Sequence, residues 1–445
     1  MKRVLFLTYY FPPSGGSGVQ RALKFAKYLP LYGWEPIVLT VSPKYASYPD
    51  LDQTMWRDVP EQLQVERTPA WDPYALYARL LRKPKEETVG VSFVGESQMN
   101  WKQKLARWLR ANVFLPDARV GWMPFAIRKG RALLAKEPFD AVVSTGPPHS
   151  VHLAGRSLSR RFNIPWLADF RDPWTGSDFY DLLPLTPIAR KLDQSLELRV
   201  LRDAAVVVAV SPSRVHALSR IFHREYEVVW NGFDPDDFQS TSPVTTNAFE
   251  VTYAGNLNDA RNPVALWRAL QKMDAIHCFP QLRIRLIGHI DPAILESARE
   301  HGVERLVETS AYLPHDEVIG EMQRSVLLLL VINRVSGSEG IIPGKIYEYI
   351  ASRRPVLGLG PVQGDAAAVL EEARSGKMFD WEDADGVAAM VEHHYTAWAS
   401  GEPLSGADPG DLDRFSRKEQ THRLADLLTG ISSPQQHAPG AKERS

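Results

Sequence analysis

A glycine-rich connection late in this 445-residue sequence carries the side chains best suited to chemistry. The apolar run at 326–332 has the length of a buried strand, and 355–359 predicts the next strand along the chain. The segment between them therefore joins a strand to a helix, which we expect to begin near Pro343 and Gly344. In open α/β sheets, ligands bind where such loops leave the carboxyl ends of the strands.

The residue types of this connection suit a phosphate and a sugar. A phosphate placed there would meet the backbone amides of Gly340, Ile341 and Ile342, the helix amino terminus and the ammonium of Lys345. Glu348, one turn further along, is placed to accept hydrogen bonds from two hydroxyls of a sugar ring. These features together predict a nucleotide or sugar-nucleotide site. The alternative is a glycine-rich loop followed by a solvated Lys–Glu pair.

A second glycine loop lies near the amino terminus. A strand predicted over 3–10 is followed by a loop and by a helix predicted over 19–32, and the loop contains Gly15 and Gly16. These glycines would let anionic oxygens approach backbone N–H groups. The spacing differs from the Gly-x-Gly-x-x-Gly dinucleotide pattern, so a purely structural tight turn is the alternative.

Two polar residues follow further predicted strands in the first half of the chain. His149 comes after a strand predicted over 139–145, and Asp172 comes after one predicted over 166–170. Both would lie on the rim where this class of sheet binds ligands. They are candidates for contacting an acceptor or for stabilising charge at a reacting centre. The alternatives are a structural histidine and an aspartate that caps a turn.

The second half begins its own alternation of strands and helices. A strand predicted over 249–254 leads into a loop that contains Asn256 and Arg261. The guanidinium of Arg261 could bind a diphosphate through two parallel hydrogen bonds. A surface arginine without a ligand is the alternative.

Composition limits the class of protein. The length favours two domains, and a hydrophobic content of 44% with 24% charged residues is that of a soluble globular protein. A net charge of −1 argues against a general nucleic-acid binder. Cys278 is the single cysteine, which excludes a disulfide framework and fits a reducing cytoplasm. No signal peptide core and no apolar window long enough for a membrane helix is present in the sequence.

These patterns predict an α/β protein of two Rossmann-like doubly wound domains facing a central cleft. We expect an acceptor domain over 1–239 that contains an insertion at about 43–125, and a donor-nucleotide domain over 249–410. Three further segments are predicted: a linker at 240–248, a helix at 411–429 that packs back on the first domain, and a disordered tail at 430–445.

The insertion contains a basic amphipathic helix at 101–110. Its tryptophans and leucines share one face, while lysines and arginines occupy the rest. Such a helix can lie in the interface of an anionic membrane. The alternative is a surface helix that packs its tryptophans onto its own domain.

The chain resembles glycosyltransferase family 4 over nearly its whole length, through a set of short motifs in a fixed order. The resemblance includes a segment at 169–174, Asp-Phe-Arg-Asp-Pro-Trp, typical of a subgroup that builds bacterial surface polysaccharides. The other matching segments are Pro12-Pro13-x-Gly15-Gly16, Val210-Ser211, Asn231-Gly232-Phe233-Asp234 with Phe238, Gly255-x-Leu257, and Glu348 followed by Pro355-Val356.

The resemblance implies a GT-B architecture and a site for a nucleotide-sugar donor. Glu348 matches the glutamate that binds the nucleotide ribose, whereas Gly340 stands where the family has an earlier glutamate and Glu339 lies one residue before it. Asn256 replaces a family arginine and Arg261 stands at the position of a lysine, so Lys345 is expected to supply one cation for the diphosphate.

The sequence therefore predicts a retaining, metal-independent glycosyltransferase without a cofactor, with a nucleotide-sugar donor and a glycan or lipid-linked acceptor. We expect it in the cytoplasm, with a membrane surface as a further partner through 101–110. The alternatives are a sugar-nucleotide epimerase, which needs no acceptor, a nucleotide- or glycan-binding scaffold without activity, and a membrane-surface structural protein that ignores nucleotides.

Overall fold

A computed structural model describes residues 1–48, 51–71, 101–177, 180–238, 247–402 and 406–433. Most of the predicted linker and of the predicted tail, and residues 72–100 of the predicted insertion, lie outside these ranges. The described residues form two compact units. The first unit comprises residues up to Val210, Val215–Val229 and the chain from Thr421 on; the second comprises Ser211–Arg214 and Trp230–Gln420.

The described part of the first unit is built on a seven-stranded parallel sheet. The spatial order is β3-β2-β1-β4-β5-β6-β7, so the chain starts in the middle and proceeds to one edge before it crosses to the other. The strands are β1 (Lys2–Leu7), β2 (Trp34–Val41), β3 (Gln64–Thr68), β4 (Ala141–Gly146), β5 (Trp166–Phe170), β6 (Val206–Ala209) and β7 (Glu227–Val228).

Helices alternate with these strands and cover both faces of the sheet. Along β1, Leu5 and Leu7 pack into one apolar cluster, while Val4 and Phe6 pack into another. Because successive side chains of a strand point to opposite faces, both faces are buried. The helices are α1 (Ser17–Tyr28), α2 (Trp101–Val113), α3 (Met123–Lys136), α4 (Ser150–Phe162), α5 (Pro187–Asp203), α6 (Pro212–Ile221) and, at the carboxyl end of the described chain, α15 (Arg417–Ser432).

The described part of the second unit repeats the plan with a six-stranded parallel sheet. Its spatial order is β10-β9-β8-β11-β12-β13, which again starts with the first strand in the middle. The strands are β8 (Phe249–Ala254), β9 (Leu282–Ile287), β10 (Val307–Ser310), β11 (Leu327–Val331), β12 (Val356–Leu359) and β13 (Gly376–Phe379).

The second sheet is also buried on both faces. Leu327 and Leu329 of β11 contribute to one apolar cluster, and Leu328 and Leu330 contribute to the other. Both units are therefore Rossmann-like, as the alternating pattern predicted. The helices are α7 (Val264–Lys272), α8 (Ala275–Cys278), α9 (Pro292–Glu300), α10 (His315–Arg324), α11 (Lys345–Ala351), α12 (Asp365–Glu372), α13 (Ala384–Ala399) and α14 (Pro409–Leu412).

One strand lies where the sequence indicated only an insertion. β3 pairs in parallel with β2 and forms the edge of the first sheet. Its sequence, Gln-Val-Glu-Arg-Thr, is mostly polar and its residues are largely half-buried or exposed. An edge strand needs no continuous apolar run, and periodicity therefore missed it.

Candidate functional site

Lys345 opens the helix after the second glycine loop and reaches across the carboxyl edge of the second sheet. Its Nζ donates a hydrogen bond of 2.6 Å to the carbonyl oxygen of Ala254, the last residue of β8. The same nitrogen lies 3.8 Å from the centre of the Tyr253 ring. Burial, and secondarily the positive charge of Arg261, lower the pKa of Lys345 to about 7. The Lys345 ammonium is therefore largely shielded from water, and the described residues provide only one hydrogen bond and one aromatic ring to stabilise its charge.

The backbone conformation after β8 explains why glycine stands there. Gly255 has a φ of +122°, which side-chain-bearing residues rarely adopt. A Cβ atom at this position would also lie 2.8 Å from Lys345 Nζ and would displace the end of that side chain. The positive φ therefore favours glycine here, and its small size leaves room for the lysine.

Arg261 is fixed beside the same edge of the sheet. Its Nε donates to Oδ1 of Asn333, two residues after β11, and its Nη1 donates to the carbonyl oxygen of Asn256 at 2.9 Å. The hydroxyl of Tyr253 donates to that same carbonyl at 2.8 Å. The backbone of Asn256 therefore anchors the arginine, and the exposed Asn256 side chain is not used for this. Two cations, Arg261 and Lys345, are gathered where β8 and β11 end.

Glu348 lies one turn into α11, on the same helix as Lys345. It is half-buried, and burial raises the pKa of its carboxyl group, while nearby positive charge at His315 and Arg417 opposes the rise. Within the part of the chain that the structure describes, no group donates a hydrogen bond to this carboxylate. A partly desolvated acceptor that the described protein groups do not pair can gain free energy from a ligand that brings hydroxyl groups.

The loop before α11 differs from the prediction in one respect. The amides of Gly340 and Ile341, which we expected to meet a phosphate, donate to the carbonyl oxygens of Gly337 at 3.3 Å and Ser338 at 3.1 Å. The cause is a 3₁₀ turn over Ser338–Gly340, which satisfies these donors internally. α11 has only seven residues, so the helix dipole contributes less than the Lys345 charge.

The remaining two predicted residues of this loop have different environments. Glu339 is exposed to solvent, whereas Ile342 is half-buried and packs at the margin of an apolar cluster. The structure therefore brings Lys345, Arg261 and the Asn256 backbone together, with Glu348 beside Lys345 on the helix, and leaves Glu339 outside this group.

The glycine loop of the first unit joins β1 to α1. Gly15 is buried, and Gly16 precedes α1 with a φ of +92°. Just inside the helix, Arg21 forms an ion pair with Asp169 of β5, with Nη2 and Oδ1 2.8 Å apart, and both side chains are at least 98% buried. Thr145 donates a further hydrogen bond of 2.7 Å to Asp169. A satisfied buried ion pair therefore joins α1, β4 and β5.

His149 is held in one protonation state by its surroundings. Its ring stacks on Trp174 with centroids 5.1 Å apart, and Nε2 lies 3.3 Å from the carbonyl oxygen of Pro173. Burial lowers the pKa of His149 to about 3, and the positive charge of Arg171 adds to the effect. The imidazole is neutral near pH 7, and because Pro173 can only accept, Nε2 carries the proton. Nδ1 is a buried acceptor without a partner among the described residues.

Asp172 has a different environment from His149, although both lie beyond strand ends. Asp172 is exposed after β5, next to the buried Arg171. Arg171 donates to the carbonyl oxygens of Gly18 at 2.7 Å and of Pro147, and thereby fixes the loop that leads to His149. The carboxylate of Asp172 remains accessible to a substrate.

Sequence comparison assigns the segment that contains these loops to a known family. Residues 78–237 match the model described as Glycosyltransferase Family 4. The match spans 160 of the 445 residues, so the chain is similar to glycosyltransferase family 4 over this segment. A comparison of the sequence with functionally curated proteins gives no match.

Solved structures with a similar architecture align over nearly the whole chain. A glycosyltransferase from Rickettsia africae ESF-5 aligns with a TM-score of 0.59 at 14% identity, covering 97% of this chain and 99% of that one. Anabaena Alr3699/HepE in complex with UDP aligns at 0.60 and 15%, covering 97% and 100%. A putative UDP-N-acetylglucosamine 2-epimerase from Listeria monocytogenes aligns at 0.54 and 11%, covering 97% and 96%. At these identities the likeness shows the fold, which is of the GT-B type.

The first unit also contains buried acids that sequence reasoning missed. Asp193 on α5 accepts hydrogen bonds of 2.9 Å from Trp174 Nε1 and from the Tyr180 hydroxyl, and burial raises its pKa to about 6. Glu197 accepts from Thr175, and burial raises its pKa to about 7. Their spacing could have identified them, because Asp193 and Glu197 are four positions apart and therefore lie on the same face of the helix. These acids hold the segment after Asp172 in place.

Proposed function

We propose that this chain is a retaining glycosyltransferase that transfers a sugar from a nucleotide-sugar donor to a glycan or lipid-linked acceptor, without a metal ion. The observation that carries the proposal is the group at the carboxyl edge of the second sheet: Lys345 and Arg261 as two cations, with the unpartnered Glu348 carboxylate beside Lys345. A nucleoside diphosphate presents a diphosphate to the cations and a ribose diol to the carboxylate.

Each of these groups has a defined part in the proposed transfer. Lys345 and Arg261 stabilise the negative charge that develops on the departing nucleoside diphosphate. An anion bound at Lys345 favours its charged form, so a lysine whose pKa burial lowers to about 7 gains protonation in the donor complex. Glu348 accepts hydrogen bonds from the ribose hydroxyls and orients the donor.

The first unit supplies the acceptor side of the proposal. The neutral His149 has an Nδ1 without a partner among the described residues, and a hydroxyl group of the acceptor would reach this buried atom only after the groups that cover it move. Asp172 offers an exposed carboxylate. Both act as positioning groups, and the open space beside Gly16 lets anionic oxygens approach the backbone of this loop. The segment Asp-Phe-Arg-Asp-Pro-Trp at 169–174 supports an acceptor that belongs to bacterial surface polysaccharide synthesis. The single cysteine fits an enzyme that acts in the cytoplasm.

Uridine diphosphate is the first donor nucleotide to test. Anabaena HepE, which shares the fold, is described in complex with UDP and with UDP-glucose. The test is thermal stabilisation of the purified chain by a panel of nucleoside diphosphates and sugar nucleotides, with a chelator present. A ligand that binds only the folded protein raises the melting temperature. One nucleotide should raise it selectively, and absence of any shift would contradict the donor site.

A sugar-nucleotide epimerase is the second candidate, because the Listeria structure described as a putative UDP-N-acetylglucosamine 2-epimerase shares the fold. Such an enzyme would also bind the donor, so binding alone does not separate the two. Incubation of the stabilising sugar nucleotide without any acceptor does so. An epimerase converts the sugar and keeps the nucleotide bond intact, whereas the proposed transferase gives at most slow hydrolysis to the free nucleoside diphosphate.

A further inference from the structure

An exposed apolar surface lies on the first unit, far in sequence from the donor-binding residues. It is formed by α2 together with the segment 182–192, which leads into and begins α5, and we refer to it as the α2/α5 face. The sequence predicted membrane contact through 101–110, and α2 extends over Trp101–Val113. We propose that the α2/α5 face docks on the surface of an anionic phospholipid bilayer.

The two segments are joined by specific hydrogen bonds. Arg107 Nη2 donates to the carbonyl oxygen of Leu182 at 2.8 Å. The amide of Asn112 donates to the carbonyl oxygen of Pro184 at 2.8 Å, and its Oδ1 accepts from the backbone N–H of Thr186 at 2.7 Å. These contacts place the carboxyl-terminal half of α2 against the start of α5. The α2/α5 face is therefore one surface built from two segments.

Large apolar side chains on this face are exposed to solvent. On α2 they lie three and four residues apart, so they form one stripe along the helix. Ile188 and Leu192, four residues apart on α5, form a second stripe. A single exposed leucine is ordinary, but a contiguous group of this size marks an interaction surface. The exposed residues are Leu105, Trp108, Leu109, Val113, Leu182, Ile188 and Leu192.

The charges on the α2/α5 face are basic. The sequence of α2 contains no aspartate or glutamate, and its Lys104 and Arg110 are exposed. On α5, Lys191 is exposed between the two apolar residues, while the acids Asp193 and Glu197 are turned into the protein and at least 98% buried. Asp181, next to Leu182, is exposed and forms an ion pair of 2.8 Å with Arg190, so this one acid is offset and the face keeps a net positive charge. A surface of apolar residues with net positive charge complements a bilayer of anionic lipids.

A bilayer surface also fits the helix lengths. None of the helices in the described ranges is long and apolar enough to cross a membrane. α2 can instead lie in the plane of the interface, with Trp108 and the leucines among the acyl chains and the lysines and arginines at the headgroups. This surface is independent of the proposed donor chemistry.

The proposal is tested by flotation of the purified full chain with vesicles of phosphatidylcholine, with and without phosphatidylglycerol. The chain should float with the anionic vesicles, bind the neutral ones much more weakly, and lose binding as salt is added. Leu109→Glu combined with Ile188→Glu should lower the partition coefficient on the order of a hundredfold, because each apolar side chain loses its burial. Lys104→Glu combined with Arg110→Glu should abolish the preference for phosphatidylglycerol.

The matched control is Tyr312→Glu combined with Val362→Glu, which places the same two negative charges at exposed apolar residues of the second unit. It should bind vesicles like the wild type. Quenching of tryptophan fluorescence by brominated lipid measures insertion into the bilayer without a change in the charge of the protein. Trp108→Phe should reduce this quenching. Equal binding of the Leu109/Ile188 variant and the control would overturn the proposal. So would the absence of vesicle binding, or a wild-type dimer that this variant dissociates.

Discussion

Charged side chains near the carboxyl ends of the strands are fully paired by the protein in the first unit and incompletely paired in the second. In the first unit, Arg21 and Asp169 form a buried pair that further hydrogen bonds complete, and Arg171 is bound to backbone carbonyls. In the second unit, Glu348 is partly desolvated and finds no hydrogen-bond donor in the described part of the chain, and Lys345 is bound to one carbonyl.

This difference separates structural from ligand-binding charge. A charge that the protein itself satisfies stabilises the loops and gains little from a ligand. A charge that is desolvated and incompletely partnered costs folding free energy, and a complementary ligand recovers that cost on binding. The comparison supports our proposal that residues of the second unit bind the donor, and it assigns the charged pair of the first unit to structure.

The largest effect should come from breaking the satisfied pair. Arg21→Met leaves Asp169 as a buried carboxylate without its cation, which should lower the free energy of unfolding by about 3–5 kcal/mol. Urea denaturation followed by circular dichroism measures it. Arg268→Met, which breaks an exposed ion pair with Glu382, is the control and should cost less than about 1 kcal/mol. Equal losses in the two variants would contradict the structural assignment.

The next effect concerns the incompletely partnered cation. Lys345→Met should weaken binding of the nucleoside diphosphate about 10- to 100-fold, because it removes a charged hydrogen bond to the diphosphate. The melting temperature of the free protein should not fall, since the methionine fills a similar volume without a charge to desolvate. Isothermal titration calorimetry measures the affinity. Lys377→Met, at an exposed lysine of the same unit, should bind like the wild type.

The affinity of the wild type should depend on pH. Free Lys345, with its pKa of about 7, loses its proton above neutrality, whereas the bound diphosphate keeps it protonated. Binding then takes up a proton, so affinity should fall by up to about tenfold per pH unit as pH rises from about 7 to 9. Titrations across this range test it. If Lys345→Met showed the same slope, another group would be responsible.

The smallest effect should come from Glu339, which is exposed beside the loop. Glu339→Gln should change the affinity for the sugar nucleotide by less than about 0.5 kcal/mol, as expected for a surface position without partners at the site. Competition with the sugar nucleotide measures it. A tenfold loss would instead show that Glu339 replaces the glutamate whose family position Gly340 occupies.

The sequence predicted the positions of strands correctly where a strand is buried on both faces of its sheet. The strands predicted over 166–170 and 249–254 coincide with β5 and β8, because each is a short run buried on both faces. β3 was missed because an edge strand carries polar residues. Continuous apolar runs therefore report burial of a strand, and strands at a sheet edge lack this signal.

The environment of the site residues could be predicted only in part. Spacing placed Lys345 and Glu348 on one helix, but the contact of Lys345 with Ala254 joins residues 91 positions apart in the chain. The neutral state of His149 depends on its burial, to which the stacked Trp174 ring contributes. The Gly340 N–H is unavailable to a phosphate because it donates to the carbonyl oxygen of Gly337 within a local turn. Such properties arise from tertiary packing, which sequence periodicity does not encode.

The most direct measurement of the donor site compares the ribo and 2′-deoxyribo forms of the nucleoside diphosphate that stabilises the protein. Calorimetric titration of the wild type should show a preference of about tenfold for the ribo form, because Glu348 accepts a hydrogen bond from the 2′-hydroxyl. Glu348→Gln should fold normally and lose most of that preference. A variant that keeps the full preference, or a wild type that has none, would contradict the assignment of Glu348 and with it the donor site described here.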